Sequence, residues 1–202
     1  MRVLPAGDSA LLIELDDVEA VLGLSGALRA DPLDGVLEAI PAARTVLLLC
    51  DPDLRSLHTV ADSVRRIRTS AAQSRLDEVV EIPVTYDGQD IDEVLELTGR
   101  TRRGLIDWHT GSEWQVAFCG FAPGFGYLVT DDPVSIPRKD TPRTRVPPGS
   151  VGLAGEFTGI YPSASPGGWQ LIGRTNVTLF DISANPPALL RPGIQVRFLE
   201  QM

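Results

Sequence analysis

Apolar positions change their spacing part-way along the chain. "ALLIEL" at Ala10 to Leu15 is an apolar run of strand length, and "VEAVLGLSGALRA" follows with Val18, Val21, Leu22 and Leu28 near helical spacing, weakened by Gly23 and Gly26. "GVLEAIP" and "TVLLLC" read as two strands about a turn at Pro41 to Arg44. Leu54, Leu57, Val60, Val64 and Ile67 then recur at three and four residues, which predicts a second helix with Asp51 as N-cap and Pro52 in its first turn. A strand, "EVVEIPVTY" from Glu78, closes the series. The order βαββαβ is the ferredoxin-like split motif and predicts a small α/β domain over residues 1–80.

Two short helices come next. Asp90 with Glu93 three residues later reads as a capping box for "IDEVLELTG", closed by Gly99, and Thr101 caps "RRGLIDWH", ended by Gly111. The pattern then changes: from Gly120 to Gly168, 17 of 49 residues are Gly or Pro, a density that no helix tolerates. Short runs such as "WQVAF", "SVGLAG", "WQLIGRTNVTLFD" and "IQVRFLEQ", separated by turn residues, predict an all-β barrel or sandwich over residues 81–202. The domain boundary is expected near residues 76 to 88, and the fold class is α+β.

Composition narrows the setting. The chain of 202 residues is 43% hydrophobic, enough for real cores, and has no apolar run of membrane-spanning length. "MRVLPAGDSALLIEL" lacks a basic region followed by an apolar core and a cleavage site, so a cytoplasmic location is expected, with no membrane association. Cys50 and Cys119 each end an apolar run, where a reduced thiol packs as a small hydrophobe. A net charge of -9 argues against nucleic-acid binding. Yet Arg138, Lys139, Arg143, Arg145 and Arg174 face only Asp140 and Glu156 in their stretch, a local excess that suits a small anion or, equally, surface ion pairs.

Common catalytic signatures are missing. "GFAPGFG" neither has dinucleotide-loop spacing nor opens a helix, no P-loop is present, and the two histidines and two cysteines are not at metal-ligand spacing. ATP is therefore not expected to bind this chain through a recognisable motif, and no metal site is evident. His109 falls at a predicted helix end, where the helix dipole would favour its protonated form and a substrate could exchange a proton with it; alternatively it satisfies the last helix carbonyls. Tyr127, Tyr161 and Trp169 combine apolar bodies with polar tips among glycines and prolines, which fits either a binding surface or a barrel rim. Glycine-dense ordered loops cost backbone entropy and usually exist because the chain must approach something closely or take up positive φ.

Four stretches in combination, "HTGSEWQVAFCGFAPGFGYL", "IPRKDTPRTRVPPGSVGLAG", "TGIYPSASPGGWQLIGRT" and "LLRPGIQVRF", resemble the family of the B subunit of prokaryotic 5-oxoprolinase. That family is also known as the kinase-inhibitor KipI family and as allophanate hydrolase subunit 1. "AGDSALLIEL" and "VEIPVTYDG" extend the resemblance over nearly the whole chain. It implies a small N-terminal α/β domain, a C-terminal cyclophilin-like barrel, and partnership with a C subunit and an A subunit in a complex that opens 5-oxoproline to glutamate at the expense of ATP. The pair of B and C subunits is itself similar to the carboxyltransferase domain of urea carboxylase.

The site implied by the resemblance comprises His109 as a proton-handling catalytic residue and a substrate pocket formed with the C subunit. The pocket residues are Gly120, Phe121, Pro123, Gly124, Phe125, Tyr127, Arg138, Arg143, Gly149, Ser150, Tyr161, Pro166, Gly167, Gly168 and Trp169. Arg138 or Arg143 would pair with a substrate carboxylate or phosphate. One departure stands out: the family's "PGD" near the C-terminus is Pro192-Gly193-Ile194 here, without the acid. Alternative functions within the resemblance are the carboxyltransferase half of a urea-carboxylase-like system and inhibition of a histidine kinase.

Overall fold

A computed structural model describes residues 1–68 and 78–201. The chain divides into two compact units, Met1–Leu76 and Asp77–Met202. Among the described residues no helix is long and apolar enough to cross a membrane.

In the first unit, strands β1 (Arg2–Pro5), β2 (Ala10–Glu14), β3 (Val36–Pro41) and β4 (Thr45–Cys50) form an antiparallel sheet in the order β1-β2-β4-β3. Helices α1 (Val18–Ala30) and α2 (Leu57–Arg66) pack on it. Alternation puts Leu11 and Ile13 of β2 and Val46, Leu48 and Cys50 of β4 on one face, where they meet Val21, Leu24 and Leu28 of α1 and Val60 and Val64 of α2. Asp17 caps α1 by accepting from the Ala20 amide at 2.8 Å. The second helix starts later than its apolar spacing predicts. Ser56, not Asp51, is its N-cap, accepting from the Thr59 amide at 3.3 Å, while Asp51 accepts from the Asp53 amide and closes a turn ahead of the helix.

The ferredoxin-like expectation fails at its last strand. The run from Glu78 forms β5 (Val79–Val84), which pairs in parallel with β13 (Gln195–Glu200) over six register positions and belongs wholly to the second unit. Beside β2, the edge reserved for that strand holds the N-terminal β1. The physical reason is pairing competition: β1 lies one short turn from β2 and pairs with it antiparallel, whereas β5 buries Ile82 and Val84 in the second unit's sheet.

That second unit contains α3 (Ile91–Thr98), α4 (Arg102–Gly111), β6 (Trp114–Cys119), β7 (Gly126–Val129), β8 (Arg143–Val146), β9 (Ser150–Ala154), β10 (Phe157–Ile160), β11 (Ser165–Gly167) and β12 (Gln170–Arg174). Seven strands are ordered β12-β9-β10-β7-β6-β13-β5, with β11 and β8 paired separately. The two ends of this sheet approach one another just beyond β5: Thr85 and Arg174 exchange backbone hydrogen bonds at 2.9 Å in both directions, and Gly88 and Asp90 donate to the carbonyls of Ile172 and Leu171. The sheet is thus nearly closed and barrel-like, and it fits the cyclophilin-like barrel. Thr101 caps α4 by accepting from the Gly104 amide, and Gly99 ends α3 in the left-handed conformation, both as the sequence predicts. The predicted run "WQLIGRTNVTLFD" stays a strand only as far as Arg174.

Candidate functional site

The stretch between β6 and β7 is a tight loop tied to itself, with the Gly120 amide donating to the Phe125 carbonyl, Ala122 to Gly120 and Phe125 to Ala122. Gly124 takes φ of 84°, and a Cβ there would lie 2.7 Å from Cβ of Phe180 and 3.0 Å from the Leu179 carbonyl oxygen, so both conformation and space require glycine. Phe121 has a φ of 68°, the one described non-glycine residue at positive φ. A bulky residue held there costs on the order of 1–3 kcal/mol, and such strain is concentrated at functional sites. The residue is 59% exposed, and its ring meets Phe125 and Tyr161 edge-on.

Behind Phe121 lies a pocket of about 290 Å³ walled by Phe125, Tyr127, Tyr161 and Trp169 and bordered by Arg138, Pro142, Pro166 and Gly167. Phe125 contacts Tyr127, Tyr161 and Trp169 in edge-to-face geometry at centroid separations of 5.0 to 5.4 Å. The rings converge because Gly159 on β10 has no side chain: a Cβ there would stand 2.9 Å from Phe125 and 3.0 Å from Trp169. Burial pushes the hydroxyls of Tyr127 and Tyr161 above the usual phenol range, so both are protonated donors at neutral pH.

The two arginines proposed from sequence have opposite fates. Arg143 is committed internally: its guanidinium lies 2.5 Å from Oδ1 of Asp90 and 3.2 Å from the Trp169 carbonyl oxygen. The Gln89 side chain, with its amide oxygen turned to face it, accepts from Nε at 2.6 Å. Arg138 is exposed, lines the pocket, and has no hydrogen-bonding or carboxylate partner among the described residues. Its Nε and Nη2 stand 3.7 Å from where a Cβ on Gly168 would be. Among the described residues no carboxylate lines the pocket, so its one formal charge is positive.

Asp90 is the residue that sequence reasoning misplaced. It makes no side-chain cap on α3. Instead the buried carboxylate accepts from the Leu171 amide at 2.6 Å, from Arg143 at 2.5 Å and from Lys139 at 3.3 Å. Lys139 also reaches Glu93 at 2.5 Å, and Glu93 accepts from Gln170 at 2.8 Å; these two partners, Lys139 first, hold its carboxyl below the usual carboxylate range. With the Lys139 amide donating to the Gly168 carbonyl and the Ile136 amide to the Gly155 carbonyl, both at 2.8 Å, the segment that carries Arg138 is fastened on both sides. Pro142 was likewise missed, and nothing in its sequence context marks it.

His109 does not reach the pocket. It is fully buried, stacked on Phe198 at 4.2 Å between ring centroids and surrounded by Tyr86, Trp108 and Trp114. Thr158 donates to the Gly152 carbonyl at 3.2 Å, so its hydroxyl oxygen accepts from Nε2–H of His109 at 3.0 Å, and Nδ1 accepts from the Tyr86 hydroxyl at 2.7 Å. The ring is thereby fixed neutral, and burial depresses its pKa to about 3. This corrects the expectation of a protonated, substrate-facing imidazole: desolvation outweighs the helix terminus. Nor does the side chain satisfy the helix end, since the Trp114 indole donates to the His109 carbonyl and the Ser112 amide to that of Trp108.

Of the remaining residues from sequence, Gly120 and Pro123 shape the loop without lining the pocket. Gly149, at φ of 77°, donates its amide to the Tyr161 carbonyl at 2.7 Å, and the Tyr161 amide donates to the carbonyl of the buried Ser150 at 2.9 Å, so this pair holds the backbone of Tyr161 just beyond β10. Ile194 is fully buried and does not border the pocket, so the place of the family's acid is a core position here.

Residues 1–190 match the carboxyltransferase domain, subdomain C and D. The chain belongs to this carboxyltransferase-domain family. It is 37% identical over 204 residues to the 5-oxoprolinase B subunit of Escherichia coli O157:H7, covering 96% of this chain and 94% of that one. It is 38% identical over 217 residues to the protein of the same name from Bacillus subtilis strain 168, covering 96% and 90%. Among solved structures, TTHA0988 superposes with a TM-score of 0.76 at 36% identity, over 96% of this chain and 40% of the other. This family member therefore spans about two fifths of that longer chain.

Proposed function

We propose that this chain is the B subunit of an ATP-dependent 5-oxoprolinase, acting with a C and an A subunit to convert 5-oxo-L-proline, ATP and water to L-glutamate. One observation carries the reading: a chain similar almost end to end to proteins of that name holds an aromatic pocket whose only charge, among the described residues, is a guanidinium without an acceptor. A small anion is the ligand such a wall selects. The exposed ring of Phe121 at the pocket lip supplies apolar surface for a second subunit to cover.

Opening a stable lactam must be driven, and phosphorylation of the amide oxygen supplies a far better leaving group. The pocket does not fit the nucleotide that would do this: a triphosphate calls for several converging cations or a cradle of backbone amides, and among the described residues one guanidinium is the single cation lining this pocket. ATP is therefore assigned to a partner subunit. This chain's part is to bind and orient the anionic substrate and, once covered, to exclude water from it.

The test is reconstitution. Hydrolysis of ATP dependent on 5-oxoproline is expected only when all three subunits are mixed; full activity without this chain, or none with it, sinks the reading. The family description supports a second reading, in which this chain is half of a carboxyl-transferring pair. That reaction needs a biotinylated carrier, because Lys139, the single lysine, is engaged by Asp90 and Glu93. Sensitivity of the activity to avidin separates the two.

A further inference from the structure

We propose that the pocket behind Phe121 is a reader of small ring carboxylates, in which Arg138 grips the carboxylate, the aromatic walls take the ring, and the lactam group of a substrate goes unread. This rests on the 5-oxoprolinase reading for its choice of ligand, and on the pocket itself for the division of labour.

Three observations carry it. First, the charge inventory is one guanidinium and no carboxylate, and that guanidinium has no acceptor among the described residues. A planar fork of donors left open beside apolar rings matches a carboxylate, whose two oxygens it can take in parallel. Second, the backbone that bears the fork is held in place. The neighbouring Lys139 is fastened through its amide to Gly168 and through its ammonium to Asp90 and Glu93, so the backbone that presents Arg138 is fixed before any ligand arrives. Third, the polar side-chain groups lining the pocket, besides Arg138, are the two tyrosine hydroxyls and the Trp169 indole N–H. No side-chain amide lines the pocket to pair edge-on with both the N–H and the C=O of a lactam, and without that paired contact a lactam and a plain carbocycle are only weakly discriminated. A volume of about 290 Å³ lies at the small end of ligand pockets and suits a five- or six-membered ring.

The consequence is an orientation. With the carboxylate at Arg138, the lactam carbonyl faces away from the only cation in the pocket, toward the side a partner subunit must supply, and the activation chemistry occurs there.

The experiment is calorimetric titration of the full chain, alone and in its assembly, with 5-oxoproline, cyclopentanecarboxylate and 2-pyrrolidinone. Cyclopentanecarboxylate is expected to bind within about threefold of 5-oxoproline, and the neutral lactam at least tenfold more weakly. Arg138→Gln should weaken both carboxylates at least tenfold and leave the lactam unchanged, with Arg138→Lys intermediate. Arg145→Gln, exposed on β8, should bind like the parent. Near-ultraviolet circular dichroism confirms that each variant is folded. The proposal is overturned by a tenfold preference for 5-oxoproline over cyclopentanecarboxylate, by unaltered carboxylate binding in Arg138→Gln, or by no saturable binding of either carboxylate to chain or assembly. Arg138-dependent carboxylate binding in an assembly that never hydrolyses ATP on 5-oxoproline keeps this site and removes the enzyme reading. Full 5-oxoproline-dependent activity in Arg138→Gln does the reverse.

Discussion

The rings around His109 and the rings behind Phe121 come from one barrel, yet they end in opposite states. Around His109 every polar atom is answered: Tyr86 donates to one ring nitrogen, Thr158 accepts from the other, and Trp114 closes on the backbone. Behind Phe121 the rings meet at similar separations, but the cluster opens on a guanidinium with no partner among the described residues and on a lip held at positive φ. Aromatic composition is therefore a poor guide to function by itself. Buried polar groups are expensive unless paired, so a fully paired set is architecture, and a charge left unpaired at the edge of one marks a place for something else.

The largest effect should come from breaking the closed cluster. His109→Ala removes a stacked ring and strands the Tyr86 hydroxyl, and is expected to cost about 3–5 kcal/mol of unfolding free energy. Denaturant titration measures it, and a loss under about 1 kcal/mol would show that the imidazole is not structural. Next, Asp90→Ala removes the acceptor shared by Arg143, Lys139 and the Leu171 amide. Breaking a buried pair costs about 3–5 kcal/mol, reduced here to roughly 2–3 because both cations keep other acceptors. Its carboxylate affinity should fall as well, because the segment bearing Arg138 loosens; intact affinity would detach the clamp from the pocket.

Acid sharpens the same contrast. The folded-state pKa of His109 is depressed to about 3 from an ordinary 6.5. At pH above 6.5 the ring is neutral folded or unfolded and contributes no slope. Between 6.5 and about 3 the unfolded chain takes up a proton that the folded chain refuses, so stability falls as pH falls, by up to about 1.4 kcal/mol per unit. Subtracting the pH profile of His109→Gln from that of the parent isolates this slope from the carboxylates. A flat difference across that window would mean that the buried imidazole is not held neutral.

Much of this is readable in the residues themselves, and the failures have definite causes. Caps at Thr101 and Gly99 follow from local chemistry and hold as the sequence predicts, because their partners lie within a few residues. Phe121, Phe125, Tyr127, Arg138, Tyr161, Pro166, Gly167 and Trp169, drawn from motifs far apart in the chain, do line one pocket. What sequence could not supply is which partner wins. Asp90 sits at capping-box spacing from Glu93, yet Arg143 and the Leu171 amide, 53 and 81 residues away, take its oxygens. The run from Glu78 has a strand's pattern, but its pairing with β13 instead of the first sheet depends on residues at the other end of the chain. The dipole of its own helix argued for a charged His109, whereas Phe198 and Thr158 decide its solvation.

The smallest effect is the one that most directly tests whether the open cluster is kept open at a cost. Phe121 is more than half exposed, so replacing it removes little buried area, and its φ of 68° is tolerated far better by asparagine. Phe121→Asn should therefore leave stability unchanged or raise it by about 0.5–1 kcal/mol, since relief of backbone strain offsets the lost edge contacts with Phe125 and Tyr161. The same variant should bind cyclopentanecarboxylate several-fold more weakly, because one wall of the pocket is gone. A stability gain paired with an affinity loss is what a strained functional lip requires. If Phe121→Asn were instead destabilised by about 1 kcal/mol or more with affinity intact, the ring would belong with those around His109, as packing, and the contrast between the two clusters would collapse at that point.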